Sequence, residues 1–170
     1  MASQKPLPQF WIDAAQKKAE EKPIIYIYLQ SFKSLTPTQN INIDSEKLVS
    51  ALQTLKKPDM AQILAIIETL DKDSEIINNP SLTYEKHSVL TTDNNYVMPT
   101  EELNTLLDTG LEKKQIGITL LALLNGLAAE TDNMYSEMVT KAMHSMLSIG
   151  LIEDAKLVGT ESITDVLNKY

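Results

Sequence analysis

The stretch Gly117-Ile118-Thr119-Leu120-Leu121-Ala122-Leu123-Leu124-Asn125-Gly126-Leu127-Ala128-Ala129 narrows the choice of fold more than any other part of the chain. At about 100° per residue, the side chains of Ile118, Leu120, Leu121, Leu123 and Leu124 point in nearly every direction. A helix that is apolar on every side is either wrapped by other helices or immersed in a membrane. The run falls short of the ~20 apolar residues that a membrane span needs. The sequence therefore predicts the central, buried helix of a soluble helical domain. Leu121 and Leu124 should both be enclosed, and truncating either to alanine should cost about 2–5 kcal/mol. The same truncation at Leu82, in a loop, should cost well under half as much.

Amphipathic helices are expected on both sides of this run. Pro8 suits the first turn of a helix reaching about Glu21, with Phe10, Trp11, Ala14, Ala15 and Ala19 on or near one face and Trp11 as a packing anchor. Residues 23–29 are rich in β-branched and aromatic side chains, which favour strands. However, Ile25, Tyr28, Leu29, Phe32 and Leu35 recur at helical spacing and no partner strand is evident, so the segment reads as helix. Asp44-Ser45-Glu46 supplies a cap and an acidic first turn for a helix carrying Leu48, Leu52 and Leu55, closed by Lys56-Lys57 before Pro58. Asp59 is then the cap of a helix with Ile63, Ile66, Ile67 and Leu70 as its stripe, and the two make a short hairpin.

Residues 74–98 break the pattern. Asn78-Asn79-Pro80-Ser81 and Thr91-Thr92-Asp93-Asn94-Asn95 are turn chemistry with short apolar pieces between them. A connection this long inside one domain is uncommon and often functional. It separates an N-terminal helical half, 8–73, from a C-terminal half, 99–170, within a single domain spanning 1–170. The second half opens at Pro99-Thr100-Glu101-Glu102, with Leu103, Leu106 and Leu107 as a stripe and Gly110 as a C-terminal stop. Asp132 caps a helix that Gly150 ends, and Thr160-Glu161 opens a last one carrying Ile163, Val166 and Leu167. The whole is an all-α chain of about seven or eight helices, read as stacked antiparallel hairpins, either a solenoid-like fragment or an irregular bundle.

Composition removes several classes of function. The net charge of −8 disfavours nucleic acid and anionic membrane surfaces. All fifteen basic residues are lysines, so the bidentate guanidinium fork that reads phosphate and carboxylate is missing. There is no cysteine, hence no thiolate nucleophile and no cysteine metal site, which is compatible with any compartment. Gln9-Phe10-Trp11-Ile12 is too short for the core of a signal peptide. A cytoplasmic location is the slight preference, or a periplasmic or secreted one if a leader preceded Met1-Ala2-Ser3.

Catalytic signatures are few. His144 adjoins Ser145, but helical neighbours diverge by about 100°, so the adjacency does not build a nucleophile–base pair. His87 lies in the long loop beside Glu85 and Lys86. Asp71-Lys72-Asp73-Ser74-Glu75 begins like a calcium loop, yet Ile76 stands where glycine is needed and Leu82 where a bidentate glutamate belongs. Neither Glu20-Glu21 nor Glu101-Glu102 is a pair converging across a cleft. No catalytic, cofactor-binding or metal-ligating set is assigned. The alternative is an undetected hydrolase or metal-dependent enzyme using His87 or His144.

What remains is methionine. Met134, Met138, Met143 and Met146 are four of the seven in the chain. With Tyr135 they form two adjacent rows on one helix. Methionine fills ordinary cores, and it also lines promiscuous binding surfaces. The functional reading is a groove for a partner's amphipathic helix or for self-association.

The pattern Gly110…Gly117-Ile-Thr-Leu-Leu-Ala-Leu-Leu followed by Ala142-x-x-x-Met146-x-x-Ile149-Gly150-Leu151-x-x-x-Ala155 resembles the C-terminal helical region of long, uncharacterised alphaproteobacterial proteins. The resemblance covers residues ~100–165 and implies a bacterial helical-repeat architecture. It carries no activity and no functional residue. The expected function is a non-enzymatic protein–protein interaction or scaffold module, possible within a longer chain, with a protein partner or a second copy as ligand, no nucleic acid and no membrane span.

Overall fold

The computed structural model describes residues 7–36, 41–71, 76, 79, 81–82, 101–127 and 136–170. Among them are eight α-helices and no strand, as an all-α reading requires. None of these helices is long and apolar enough to cross a membrane. The chain divides into two compact units, one formed by Met1–Tyr84 with Ile163–Tyr170 and the other by Glu85–Ser162. The last eight residues therefore belong with the N-terminal half.

The first unit contains α1 (Gln9–Glu21), α2 (Ile25–Leu35), α3 (Ser45–Gln53) and α4 (Lys57–Leu70). Helix α2 packs against the other three. Its sequence of β-branched and aromatic residues is tolerated in a helix because it is enclosed, burying Tyr26, Ile27, Leu29, Gln30 and Ser31. Across from it lie Leu52 of α3 and Ile63, Leu64, Ile66 and Ile67 of α4, all fully buried. The Asp44 carboxylate accepts from the backbone N–H groups of Glu46 (3.0 Å) and Lys47 (3.2 Å), giving α3 the cap its sequence announces.

Several expectations fail in this unit. Trp11 is not a packing anchor: it is 60% exposed beside an exposed Phe10, ring centroids 5.6 Å apart. The buried stripe of α1 runs instead through Ile12 and Ala19, seven positions apart on one face. Leu82 is not loop surface but 5% exposed, and the adjoining Ser81 carbonyl accepts from the Gln53 side chain at 3.1 Å. Finally, Lys57 and Pro58 start α4 rather than close α3, because proline is well suited to a first turn. Most of the connection at 74–98 lies outside the described residues.

The second unit contains α5 (Glu101–Glu112), α6 (Ile116–Leu127), α7 (Ser136–Ser148) and the start of α8 (Ile152–Leu167). Helices α5, α6 and α7 pack pairwise on one another. Gly110 does not stop α5: it lies buried inside the helix, where α6 passes close enough that a Cβ would sit 2.5 Å from Thr119 Oγ1 and 3.1 Å from its backbone nitrogen. The stop comes four residues later. Lys114 takes the left-handed conformation (φ 53°), Gln115 N–H donates to the Gly110 carbonyl at 2.8 Å, and Lys114 N–H to that of Leu111 at 3.2 Å. This is a Schellman turn with lysine where glycine is usual. The same turn ends α7, there with Gly150 (φ 85°) and a Leu151 N–H bond to the Met146 carbonyl at 2.8 Å. Helix α8 then runs unbroken through Thr160, whose hydroxyl donates to the Lys156 carbonyl instead of opening a new helix.

Candidate interaction surface

Helix α6 is not wrapped. It buries Thr119, Ala122 and Leu123 and turns its larger side chains outward: Leu121 is 63% exposed and Leu124 66%. Ile116, Ile118 and Leu120 are exposed as well, and α5 adds an exposed Leu106. The expectation that Leu121 and Leu124 lie in the core is thus overturned. The cause is the contact between α5 and α6, which is made by small residues. Gly110 against Thr119 lets the two backbones approach closely, so the inward face of α6 has room for Ala122 and one leucine. Leu120, Leu121 and Leu124 are left on the outside. Helix α6 contains no charged residue at all, so this outward face is apolar without interruption by charge.

The methionine row lies elsewhere. Met138, Met143 and Met146 are buried in α7 together with Val139 and Ala142. These three methionines are core filler, the commoner use of a flexible thioether. Met134 and Tyr135 lie outside the described residues. An exposed ion pair at 3.1 Å between Lys141 and Asp108 joins α7 to α5.

The residues weighed for catalysis are not brought together. His144 is exposed, while the Ser145 side chain is fully buried with its hydroxyl donating to the Lys141 carbonyl at 2.8 Å. That hydroxyl is engaged within its own helix and faces away from the imidazole. His87 lies outside the described residues. Among the described residues, no three His, Asp or Glu side chains are placed to hold a metal ion.

Two polar clusters in the first unit were not foreseen from sequence. In one, Glu20 accepts from the Tyr26 hydroxyl at 2.5 Å and from the Lys47 ammonium at 2.5 Å, joining α1, α2 and α3. The hydrogen bond from Lys47, then that from Tyr26, holds the Glu20 carboxyl below its ordinary range. Burial, then the Glu20 contact, pushes Tyr26 up, and the Glu20 contact raises Lys47. All three shifts favour the resting form of each group. A catalytic lysine or general-base glutamate would need the opposite, so this trio is a clasp between helices.

In the other cluster, Tyr170 caps α4 from 111 residues away. Its hydroxyl donates to Asp59 Oδ2 at 2.6 Å and accepts the Lys56 N–H at 2.9 Å. Asp59 does not itself cap the helix, because it stands at the third helical position. In a capping box a longer side chain there reaches back to the N-cap N–H, and here the tyrosine bridges the gap.

Comparison with known protein families, with curated proteins and with solved structures finds no match to this chain. The functional reading therefore rests on the surface itself. One signal for it was present in the sequence: Gly110, Thr119 and Ala122 are small, and small residues mark the side on which helices approach closely.

Proposed function

We propose that the chain is a non-enzymatic interaction or scaffold module that binds a protein through the outward face of α6. One observation carries this reading: the helix buries a threonine and an alanine while exposing Leu121 and Leu124. Exposing whole leucines to water is unfavourable by about 25 cal/mol per Å² of apolar surface, and contiguous apolar surface of this kind marks interaction sites. The uncharged character of the helix adds support, because the centre of an interface is depleted in charge. A helix-binding site of this type fits the helical-repeat architecture that residues ~100–165 resemble. The exposed Phe10–Trp11 pair is a second apolar feature, carried by α1.

The lack of native cysteine makes the test direct. A Leu121→Cys variant carrying a thiol-coupled photo-crosslinker is irradiated in an extract of the source organism, beside a Lys17→Cys control on α1. The reading requires a discrete protein adduct at position 121 that the control lacks. Equal labelling at both positions, or none at either, refutes it.

A further inference from the structure

We infer that Asn125 is a site of self-modification: it loses its side-chain amide to the following Gly126 and becomes a carboxylate on the outward face of α6. The first observation is the pair itself. Asn125 is the only asparagine of the chain followed by glycine. The reaction needs the backbone nitrogen of the next residue to reach the asparagine Cγ, and a side chain on that residue obstructs the approach. Glycine has no Cβ and turns freely. After Asn42, Asn104 and Asn168 come isoleucine, threonine and lysine. The second observation is place. Asn125 is exposed and lies with Gly126 in the last turn of α6. A closed helix aims the Gly126 N–H at the carbonyl of Ala122, four residues back, and so away from the Asn125 side chain. Helices open first at their ends, and asparagine followed by glycine is weak helix-forming sequence. The side chain therefore meets its nucleophile whenever this turn frays.

The chemistry needs only water and hydroxide. Hydroxide removes the Gly126 amide proton, and the nitrogen bonds to Asn125 Cγ. The Cγ–Nδ2 bond then breaks, and the nitrogen leaves as ammonia with a proton from water, which regenerates hydroxide. The product is a five-membered succinimide. Water opens it at Cγ to give aspartate, or at the α-carbonyl to give isoaspartate, whose chain runs through one extra methylene. Either way one neutral amide becomes one carboxylate, and nothing is oxidised or reduced. The position makes this change consequential. Helix α6 otherwise carries no charge. Asn125 follows Leu121 by four residues and Leu124 by one, so the new carboxylate shares the face that exposes those leucines. It also stands at the negative end of the helix dipole, which loosens the turn further. A partner covering Leu121 and Leu124 must strip water from this charge, which favours release. That consequence rests on the interaction-module reading above; the modification itself does not.

Peptide mapping by mass spectrometry of the purified full chain, stored at neutral and mildly alkaline pH, tests this. Conversion at position 125 runs ahead of that at every other asparagine, yields both aspartate and isoaspartate, and speeds up with hydroxide concentration. Gly126→Ala slows it by at least about 2–5-fold, the share that a firmer helix end alone supplies. Retention of Asn125 while another asparagine converts first overturns the site. So does a Gly126→Ala variant that converts as fast as the wild type. The consequence for binding is read separately, with the crosslinker at position 121. Asn125→Asp supplies the carboxylate at once, and Asn125→Gln keeps an amide that cyclises far more slowly. Asn125→Asp lowers the adduct yield by about 10-fold, as an unpaired charge in an interface does, while Asn125→Gln retains it. Matching circular dichroism melts of the two variants exclude a folding defect. Equal yields from both overturn the effect on binding. A wild type that gives no adduct sinks the interaction reading alone, and the mass spectra still decide the modification.

Discussion

Gly110→Ala is the sharpest test of how the second unit is built. A Cβ at this position lies 2.5 Å from Thr119 Oγ1, 3.1 Å from the Thr119 nitrogen and 3.3 Å from its Cα. The hydroxyl can rotate away; the two backbone atoms cannot, so α5 and α6 must separate by a few tenths of an ångström. Overpacking of this kind costs about 1–3 kcal/mol. Replacing a helical glycine by alanine returns about 0.5–1 kcal/mol. The net effect lies between about zero and a loss of about 2.5 kcal/mol, or up to roughly 10 °C in melting temperature for a chain of this size. Gly117→Ala supplies the control, because nothing lies within 4 Å of its Cβ: the helix gains up to about 0.5–1 kcal/mol with no clash. Urea and thermal unfolding followed by circular dichroism read both. Adding Thr119→Ala to Gly110→Ala should recover only part of the loss, since the backbone contacts persist. A Gly110→Ala variant stabilised like Gly117→Ala would show that the helices do not approach this closely.

Four further outcomes are expected. Leu82→Ala, at a site 5% exposed, lowers stability by about 2–4 kcal/mol, while Leu121→Ala, at 63% exposed, changes that of the monomer by less than about 0.5 kcal/mol; denaturant titration of the two variants distinguishes this order from its reverse. Lys114→Gly relieves a left-handed lysine and stabilises by about 1 kcal/mol, and Gly150→Ala does the opposite at the equivalent turn, both measured as shifts in urea midpoint. Tyr170→Phe removes the bridge between Asp59 and the Lys56 N–H and costs about 1 kcal/mol by the same titration. The Glu20 carboxyl sits below its ordinary value of 4.5, so its clasp stabilises above that pH and is lost as pH falls through the lowered value; Tyr26 and Lys47 are raised, so their share is present below pH 10 and lost above it. The gap in melting temperature between wild type and Glu20→Gln should therefore be widest near neutrality and close at acid pH.

How much of this was legible depends on how local the cause is. Helix existence is local: periodicity and caps such as Asp44 name α1 to α4 correctly, and Gly150 is read rightly as a stop. Gly110 shows the limit. Glycine serves both as a left-handed terminus and as a point of close approach, and sequence alone does not separate the two uses. Here it is the second, and Lys114 takes the strained turn in its place. Tyr170 is illegible for a different reason, as its partners Lys56 and Asp59 are more than a hundred residues away. The α6 face fails for a third. Apolar periodicity reports which helices want covering, but a helix apolar on all sides does not report whether its own chain supplies the cover.

That last ambiguity joins the fold to the proposed function. The sequence feature read as a core helix and the surface read as a binding face both lie on α6. In the second unit Met138, Met143 and Met146 of α7 are buried with Leu107 of α5 and Leu123 of α6, while Leu121 and Leu124 are exposed. Were those leucines core in an alternative packing, Met138 and Met143 would have to give up their places. Met143→Ala should then be nearly neutral, because that packing would take over. With Met143 fully buried and α6 facing outward, the change instead opens a cavity and costs about 2–5 kcal/mol. A neutral Met143→Ala in thermal unfolding would return the leucines to the interior and remove the basis for the interaction surface.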